Sequence, residues 1–322
     1  MCASDGVSSP PPEKLLWWCS ENCGKFEQLR LQLEFWAELL LRACPGQTDL
    51  EDVSFSAEDD LYVAISVRFR DGRKARARVE RRADVAQQLG PEPQCESMVE
   101  IAKSKVRAAA QVAAAQCATA LPRPQTELVG VAVQDSGLSI RALNGFPGPF
   151  TKYVTQTIGM RGLLKLMEGQ ADRACGFDGC VAFAPCGRDA DDGGGVRLFR
   201  EPRQHWGRLA TWAESGLSEN VESAGGVESS TSKWTVAPQA AHSADAARLS
   251  GADRNAFTVF IPEDLPRGSS AACKTLAGMP SEDLRSYRRS RHSSYRDFAR
   301  FVFVEVLGCG AALALISSTV ES

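Results

Sequence analysis

Histidine is scarce in this 322-residue chain, with only His205, His242 and His292 present. The eleven cysteines do not make up the deficit. Cys175, Cys180 and Cys186 come nearest to a metal pattern but lack the two-residue knuckle of a structural zinc site, so zinc is not expected. Without paired, regular spacing over so long a chain, the cysteines read as reduced thiols rather than a disulfide scaffold. Charge of one sign is also lacking: 37 Lys and Arg face 40 Asp and Glu, a formal charge of -3. No global field draws the protein to nucleic acid or an acidic membrane, so any anion site is local. The start MCASDGVSSPPPEK has no basic opening followed by an apolar stretch. No signal peptide is visible, and a cytoplasmic location is expected. A long uninterrupted apolar run is missing too. Residues 301–320 come closest, but Glu305 and serine and threonine residues break the run. A buried final strand or helix is expected there rather than a membrane anchor.

What is present is a 43% hydrophobic content, enough for a sizeable core. Leu15 to Cys19 reads as a short buried strand. From Lys25 the period becomes helical, with Phe26, Leu29, Leu33, Trp36 and Leu40 on one face. Asp71-Gly72 between two alternating runs predicts a β-hairpin over Leu61 to Arg81, its Arg and Lys residues forming a solvated face. Ser97 to Ala118 predicts a helix opened by Ser97 and Glu100 and followed by the breaker LPRP. The strand ELVGVAV leads to Gln134-Asp135-Ser136-Gly137, and NGFPGPF turns the chain towards a helix near Ile158 to Glu168. Strands CVAFAP and GVRLFR follow, separated by GRDADDGGG; Ser215 to Ser250 reads as a flexible insertion. FTVFIP is a further strand. An Arg-rich helix is expected from Ser281 to Phe303. Strands alternating with helices predict an α/β fold.

Three places carry chemistry. Ser20-x-Asn22-x-x-Lys25 lies between a strand and a helix, where a hydroxyl, an amide and an ammonium beside free backbone N–H groups suit a triphosphate. An ordinary helix cap with a solvated Lys25 explains the same residues. No GxxxxGK[ST] motif is present. Glu100 and Asp135 are two carboxylates which, if they converge, hold Mg²⁺ through oxygen while one of them takes a proton from water. Each also has a structural explanation: Glu100 in a capping box with Ser97, and Asp135 in a turn.

Taken together, these segments resemble the inosine triphosphate pyrophosphatase family. SENCGKFEQL resembles its TxNxxK phosphate-binding start, VEIAKSKVRAAA its EENAxxKARAAA helix, and QDSGLSIRALNGFPGPFTKYV its DDSGLxVxALxGxPGxYxxxY segment. FREPRQHWGRL and FIPEDLPRGSSAACKTLAGM are similar, more loosely, to its FxGxxxGxI and FxPxGxxKTxAEL stretches. The resemblance implies an elongated, two-lobed α/β domain around a central mixed sheet, usually a homodimer. It also implies Mg²⁺-dependent cleavage of inosine, deoxyinosine or xanthosine triphosphate to monophosphate and pyrophosphate. Ser20, Asn22, Lys25 and Lys152 would bind substrate, Glu100 and Asp135 would hold Mg²⁺, and Asp135 would activate water. The corresponding organisation is a disordered 1–14, one domain over 15–303 with insertions at about 45–90 and 215–250, and an extension over 304–322.

The chain departs from the family beside the expected metal-binding aspartate and at the base-recognition end. Gln134 replaces an acidic residue, GFGYDP falls on Asp253 to Thr258, and KNxxSHR falls on Leu284 to Ser290. The alternative is therefore a catalytically impaired nucleotide-binding or scaffold protein on the same fold. Nucleic-acid binding through the basic hairpin or the Arg-rich helix is not expected, because neither carries an interleaved aromatic platform. No membrane partner is expected either.

Overall fold

A computed structural model describes residues 12–58, 61–119, 125–186, 195–217, 256–263 and 275–320. The breaker at 121–124, the acidic turn at 187–194, the insertion beyond residue 217 and Asp253 to Asn255 lie outside the described residues. In chain order the elements begin with β1 (Glu13–Trp18), α1 (Cys23–Gln47), β2 (Leu50–Glu58), β3 (Tyr62–Phe69), β4 (Lys74–Arg81), α2 (Ala83–Ala86) and α3 (Met98–Thr119). There follow β5 (Thr126–Ile140), α4 (Thr151–Thr157), α5 (Gly159–Leu166), β6 (Ala174–Pro185), β7 (Arg197–Arg200), β8 (Gly207–Leu209) and α6 (Trp212–Ser215). The last are β9 (Phe260–Pro262), α7 (Ser281–Ser290), α8 (Ser294–Phe301) and α9 (Gly310–Val320). The fold is mixed α/β.

The chain divides into two compact units. The first comprises Met1–Asp135, Gly179–Pro202 and Arg288–Ser322. Its strand order is β2-β3-β4-β1-β5-β6, with β7 on β6. β1 runs parallel to both β4 and β5, while β2, β3 and β4 pair antiparallel, so the sheet is mixed. The run LLWWC is apolar without alternation because β1 is covered on both faces. Leu16 and Trp18 pack with Phe26, Leu29 and Leu33 of α1 and Phe298 of α8; Leu15, Trp17 and Cys19 pack with Ala102, Val106 and Ala109 of α3.

β3 and β4 form the expected hairpin, with Gly72 at φ +86° in its turn, where a Cβ would be strained. The sequence reading gave no separate strand for β2, which extends the hairpin to three strands. In α9, Ala312, Leu313 and Ile316 are buried in the α1 side of the core. No helix among the described residues is long and apolar enough to cross a membrane.

The second unit comprises Ser136–Asp178 and Arg203–Tyr287. Its core joins Leu138 and Ile140 of β5 to Met160, Leu163 and Leu164 of α5 and to Trp206, Leu209 and Phe260. Phe177, Trp206 and Phe260 contact one another at centroid distances of 4.4–6.1 Å, and Phe257 packs edge-on against Phe177 at 4.9 Å. Phe257 is thus a member of an aromatic cluster. α6 opens with a reciprocal capping box between Thr211 and Glu214.

Two expectations change. Gln134-Asp135-Ser136-Gly137 is not a turn: β5 runs through it to Ile140, with Gly137 to Ile140 all buried. The Arg-rich segment is two helices rather than one. It breaks at residues 291–293, where Ser293 is extended at φ -152°, ψ 168°. The break has side-chain causes. Gln32 donates its amide to the carbonyls of Arg288 (2.7 Å) and Arg289 (3.3 Å), and Arg296 donates to Gln32 Oε1 (3.0 Å) and the Arg289 carbonyl (2.7 Å). Arg291 pairs with buried Glu201. The carbonyls a continuing helix would use are already satisfied.

Candidate functional site

β1 and β5 run parallel with Trp18 beside Ala132, so the chain leaving β1 and the part of β5 after Ala132 lie side by side, and each carries residues expected from the sequence. Ser20 and Asn22 follow β1. Ser20 is buried, and its hydroxyl accepts a bond from the Asn22 N–H at 3.2 Å. Asn22 caps α1, its Oδ1 accepting from the N–H groups of Gly24 (2.9 Å) and Lys25 (3.3 Å). These two residues shape the turn, as an ordinary cap would.

Lys25 is not solvated. Its ammonium donates to the Gln134 carbonyl at 2.9 Å and lies 3.7 Å from the Asp135 carboxylate. The first turn of α1 and the later half of β5 are thereby joined by a charge pair, with side chains only 22% and 16% exposed. Burial pushes the Lys25 ammonium below the usual lysine range. Asp135 opposes that fall, and the nearby charge of Lys105 adds to it.

Lys105, on α3, is the second cation on Asp135, at 3.3 Å, and it also bonds Glu92 at 2.6 Å. Burial alone would lower it, but the Asp135 charge and the bond from Glu92 hold it above its ordinary value. The site is therefore an alternating row: Lys25, Asp135, Lys105, Glu92. The sequence reading did not single out Lys105 or Glu92. The signal for Lys105 is its position among Ala102, Val106, Ala109 and Ala113, a charged residue on the buried stripe of α3. Glu92 lies in an irregular stretch without periodicity, and nothing in its spacing points to Lys105.

Glu100 stands in the first turn of α3, as expected, with its N–H on the Ser97 hydroxyl at 3.3 Å. Its carboxylate is 58% exposed and pairs with Lys103 at 2.8 Å. The carboxylate tied to Asp135 through Lys105 is Glu92. Gln134 is buried and donates its amide to the Asp135 carbonyl at 3.1 Å, while its Oε1 is buried without a donor. Tyr295 is buried as well. Its phenol is pushed far up, chiefly by burial, with the charges of Glu201 and Asp135 adding to the rise. Lys152 belongs to the second unit, exposed in the first turn of α4.

Among the described residues, no three His, Cys, Asp or Glu side chains cluster to hold a metal. The donor chemistry nevertheless fits Mg²⁺. In nucleotide sites this ion takes one or two carboxylates and completes its shell with phosphate and water. Asp135 and Glu92 offer such oxygens, and lysines contact both carboxylates.

Two cysteines flank the turn. Cys19 is buried, and burial pushes its thiol up to about 12; Cys23 is exposed. At pH 8, iodoacetamide should alkylate Cys23 in the folded protein and spare Cys19, as read by peptide mass spectrometry. Equal rates at both would contradict the burial of Cys19.

The profile of the Ham1 family matches residues 69–200. A dITP/XTP pyrophosphatase of Methanopyrus kandleri is 42% identical over 146 residues, covering 41% of this chain and 70% of that protein. The chain belongs to the Ham1 family, the group whose motifs its sequence resembles. A dITP/XTP pyrophosphatase of Hyperthermus butylicus is 41% identical over 108 residues, covering 34% of this chain and 50% of the relative. One from Pyrobaculum aerophilum is 48% identical over 99 residues, covering 27% and 53%. Among solved structures, a HAM1 protein from Coxiella burnetii aligns over 96% of this chain and 99% of its own, at 14% identity and a TM-score of 0.41.

Proposed function

We propose that the protein hydrolyses purine nucleoside triphosphates, inosine, deoxyinosine and xanthosine triphosphate among them, to the monophosphate and pyrophosphate. The observation that carries this reading is the pair of half-buried lysines, Lys25 and Lys105, meeting on the single carboxylate of Asp135. A triphosphate is the natural competitor for both ammoniums. As it binds, the lysines transfer their charge to phosphate oxygens and free the Asp135 carboxylate. The α1 N-terminus, shaped by Ser20 and Asn22, adds its dipole to the phosphate end.

Asp135 then takes the proton of the attacking water, whose oxygen bonds to the α-phosphorus while the bond to the bridging oxygen breaks and pyrophosphate leaves. Asp135 with one further carboxylate, Glu100 or Glu92, would hold Mg²⁺, and when bound the ion would neutralise charge on the phosphate oxygens. Glu92 keeps Lys105 charged and oriented. Lys152 contacts substrate in this reading. The setting is cytoplasmic, and a homodimer fits the exposed Phe146, Tyr153 and Ile158 of the second unit.

Base selectivity is weak in this account, because the residues at the base end are replaced. Phe257 is committed to packing on Phe177. The test is a panel of inosine, xanthosine, guanosine and adenosine triphosphates with Mg²⁺, following monophosphate and pyrophosphate together. Rates within about 200-fold of one another are expected, since a pocket without paired base contacts discriminates by only ~1–3 kcal/mol. Strong preference for the deaminated purines would overturn the relaxed pocket. Binding without any product would favour the catalytically impaired alternative.

A further inference from the structure

The outer face of the three-stranded extension takes no part in the nucleotide site. The inner residues of β3 and β4, Val63, Ile65, Val67, Phe69, Ala77 and Val79, are buried in the core and make the extension a rigid platform. The strand register then fixes what the other face presents. Asp52, Arg68 and Lys74 form one row across β2, β3 and β4; Ser54, Ser66 and Arg76 form the next. The serines are short, so the sheet is recessed between longer neighbours. The recess has a volume of about 370 Å³. Its lining carries three cations, Arg68, Lys74 and Arg76, against one carboxylate, Asp52, over a floor of two hydroxyls.

Lys74 and Arg76 are exposed and make no ion pair or hydrogen bond among the described residues. Arg68 has only a loose pair with Glu51, at 3.8 Å. Two residues apart on one strand, Lys74 and Arg76 sit about 6.7 Å from each other on the same face. Arg68 lies directly across from Lys74. A solvated stripe of a folding hairpin needs no such excess of cations around hydroxyl donors.

We propose that this face binds the backbone of single-stranded nucleic acid, with Lys74, Arg76 and Arg68 each neutralising a phosphate and Ser54 and Ser66 donating to phosphate oxygens. The contact reads no bases: the aromatic ring on this face, Tyr62, is covered by the Arg78 guanidinium at 3.7 Å. Binding is therefore insensitive to sequence and governed by salt. The sequence argument against nucleic acid rested on the missing aromatic platform, and phosphate binding does not require one.

The experiment is fluorescence anisotropy of a labelled 20-nucleotide oligouridylate with the full chain, from 25 to 200 mM KCl. Three phosphate contacts on a single strand predict a log–log salt slope of about -2. Lys74→Ala with Arg76→Ala should weaken binding at least tenfold at 50 mM KCl and bring the slope towards about -0.7, the value for one contact. The same double variant should keep its melting midpoint and its rate of pyrophosphate release, since neither residue lies in the Lys25–Asp135 row. Absence of binding at 25 mM KCl would overturn the proposal, as would unchanged affinity in the double variant. Displacement of the label by polyglutamate but not by unlabelled RNA would also overturn it, assigning the face to an acidic polypeptide.

Discussion

Replacing Asp135 with asparagine is expected to reduce pyrophosphate release by about 10³-fold, the scale of a lost general base, while nucleotide binding persists. The amide keeps the shape of the side chain within β5 but removes both the proton acceptor and the anion. Lys25 and Lys105 lose the carboxylate they share, at 3.7 and 3.3 Å. For Lys25, whose ammonium is already lowered by burial with Asp135 opposing, the fall deepens. Both lysines become more available to phosphate. Without metal, a triphosphate should therefore bind the variant as tightly as the native protein or more tightly, because a like charge facing it has gone. Calorimetry with a non-hydrolysable triphosphate and a coupled pyrophosphate assay separate the two effects. Near-native turnover in the variant would remove Asp135 from the reaction.

Gly137→Ala is expected to destabilise the fold by upwards of about 3 kcal/mol, a drop of roughly 10 °C in melting midpoint. A Cβ built at Gly137 would lie 1.8 Å from the Gly148 carbonyl oxygen and 2.5 Å from its carbon. Backbone on both sides makes the contact, so no side-chain rotation relieves it. The loop is pinned further: the Thr151 hydroxyl accepts from the Leu138 N–H at 2.7 Å and donates to the Gly148 carbonyl at 2.7 Å. The glycine therefore follows from close approach of the 148 loop to β5, not from a turn at 134–137. Thermal denaturation checks this, and an unchanged midpoint would contradict the packing.

These two sites show what could and could not be read from the sequence. Buried strands and amphipathic helices were legible where periodicity is strong, as in β1, α1, α3 and the Asp71-Gly72 hairpin. The residues quoted for the family motifs were legible as motifs, and of these the structure brings Lys25 to Asp135, beside the turn that holds Ser20 and Asn22. Lys105 was legible as an anomaly on an apolar stripe and as the lysine of the EENAxxKARAAA pattern, and Glu92 not at all, because its role depends on a lysine 13 positions away. The break between α7 and α8 was hidden for a similar reason. Its causes are Gln32 and Glu201, far off in the chain, and local propensity carries no trace of them. α4 was missed because a seven-residue helix directly after Pro149 and Phe150 is too short to show a period.

The central claim is that the Lys25–Asp135–Lys105 row serves cleavage between the α- and β-phosphates. Phosphorus NMR of inosine triphosphate with the purified protein and Mg²⁺ tests it most directly. The account predicts that inosine monophosphate and pyrophosphate appear in equal amounts, with no orthophosphate, and that Asp135→Asn removes both signals. Inosine diphosphate with orthophosphate would contradict it, as would an unchanged spectrum from protein that binds the nucleotide.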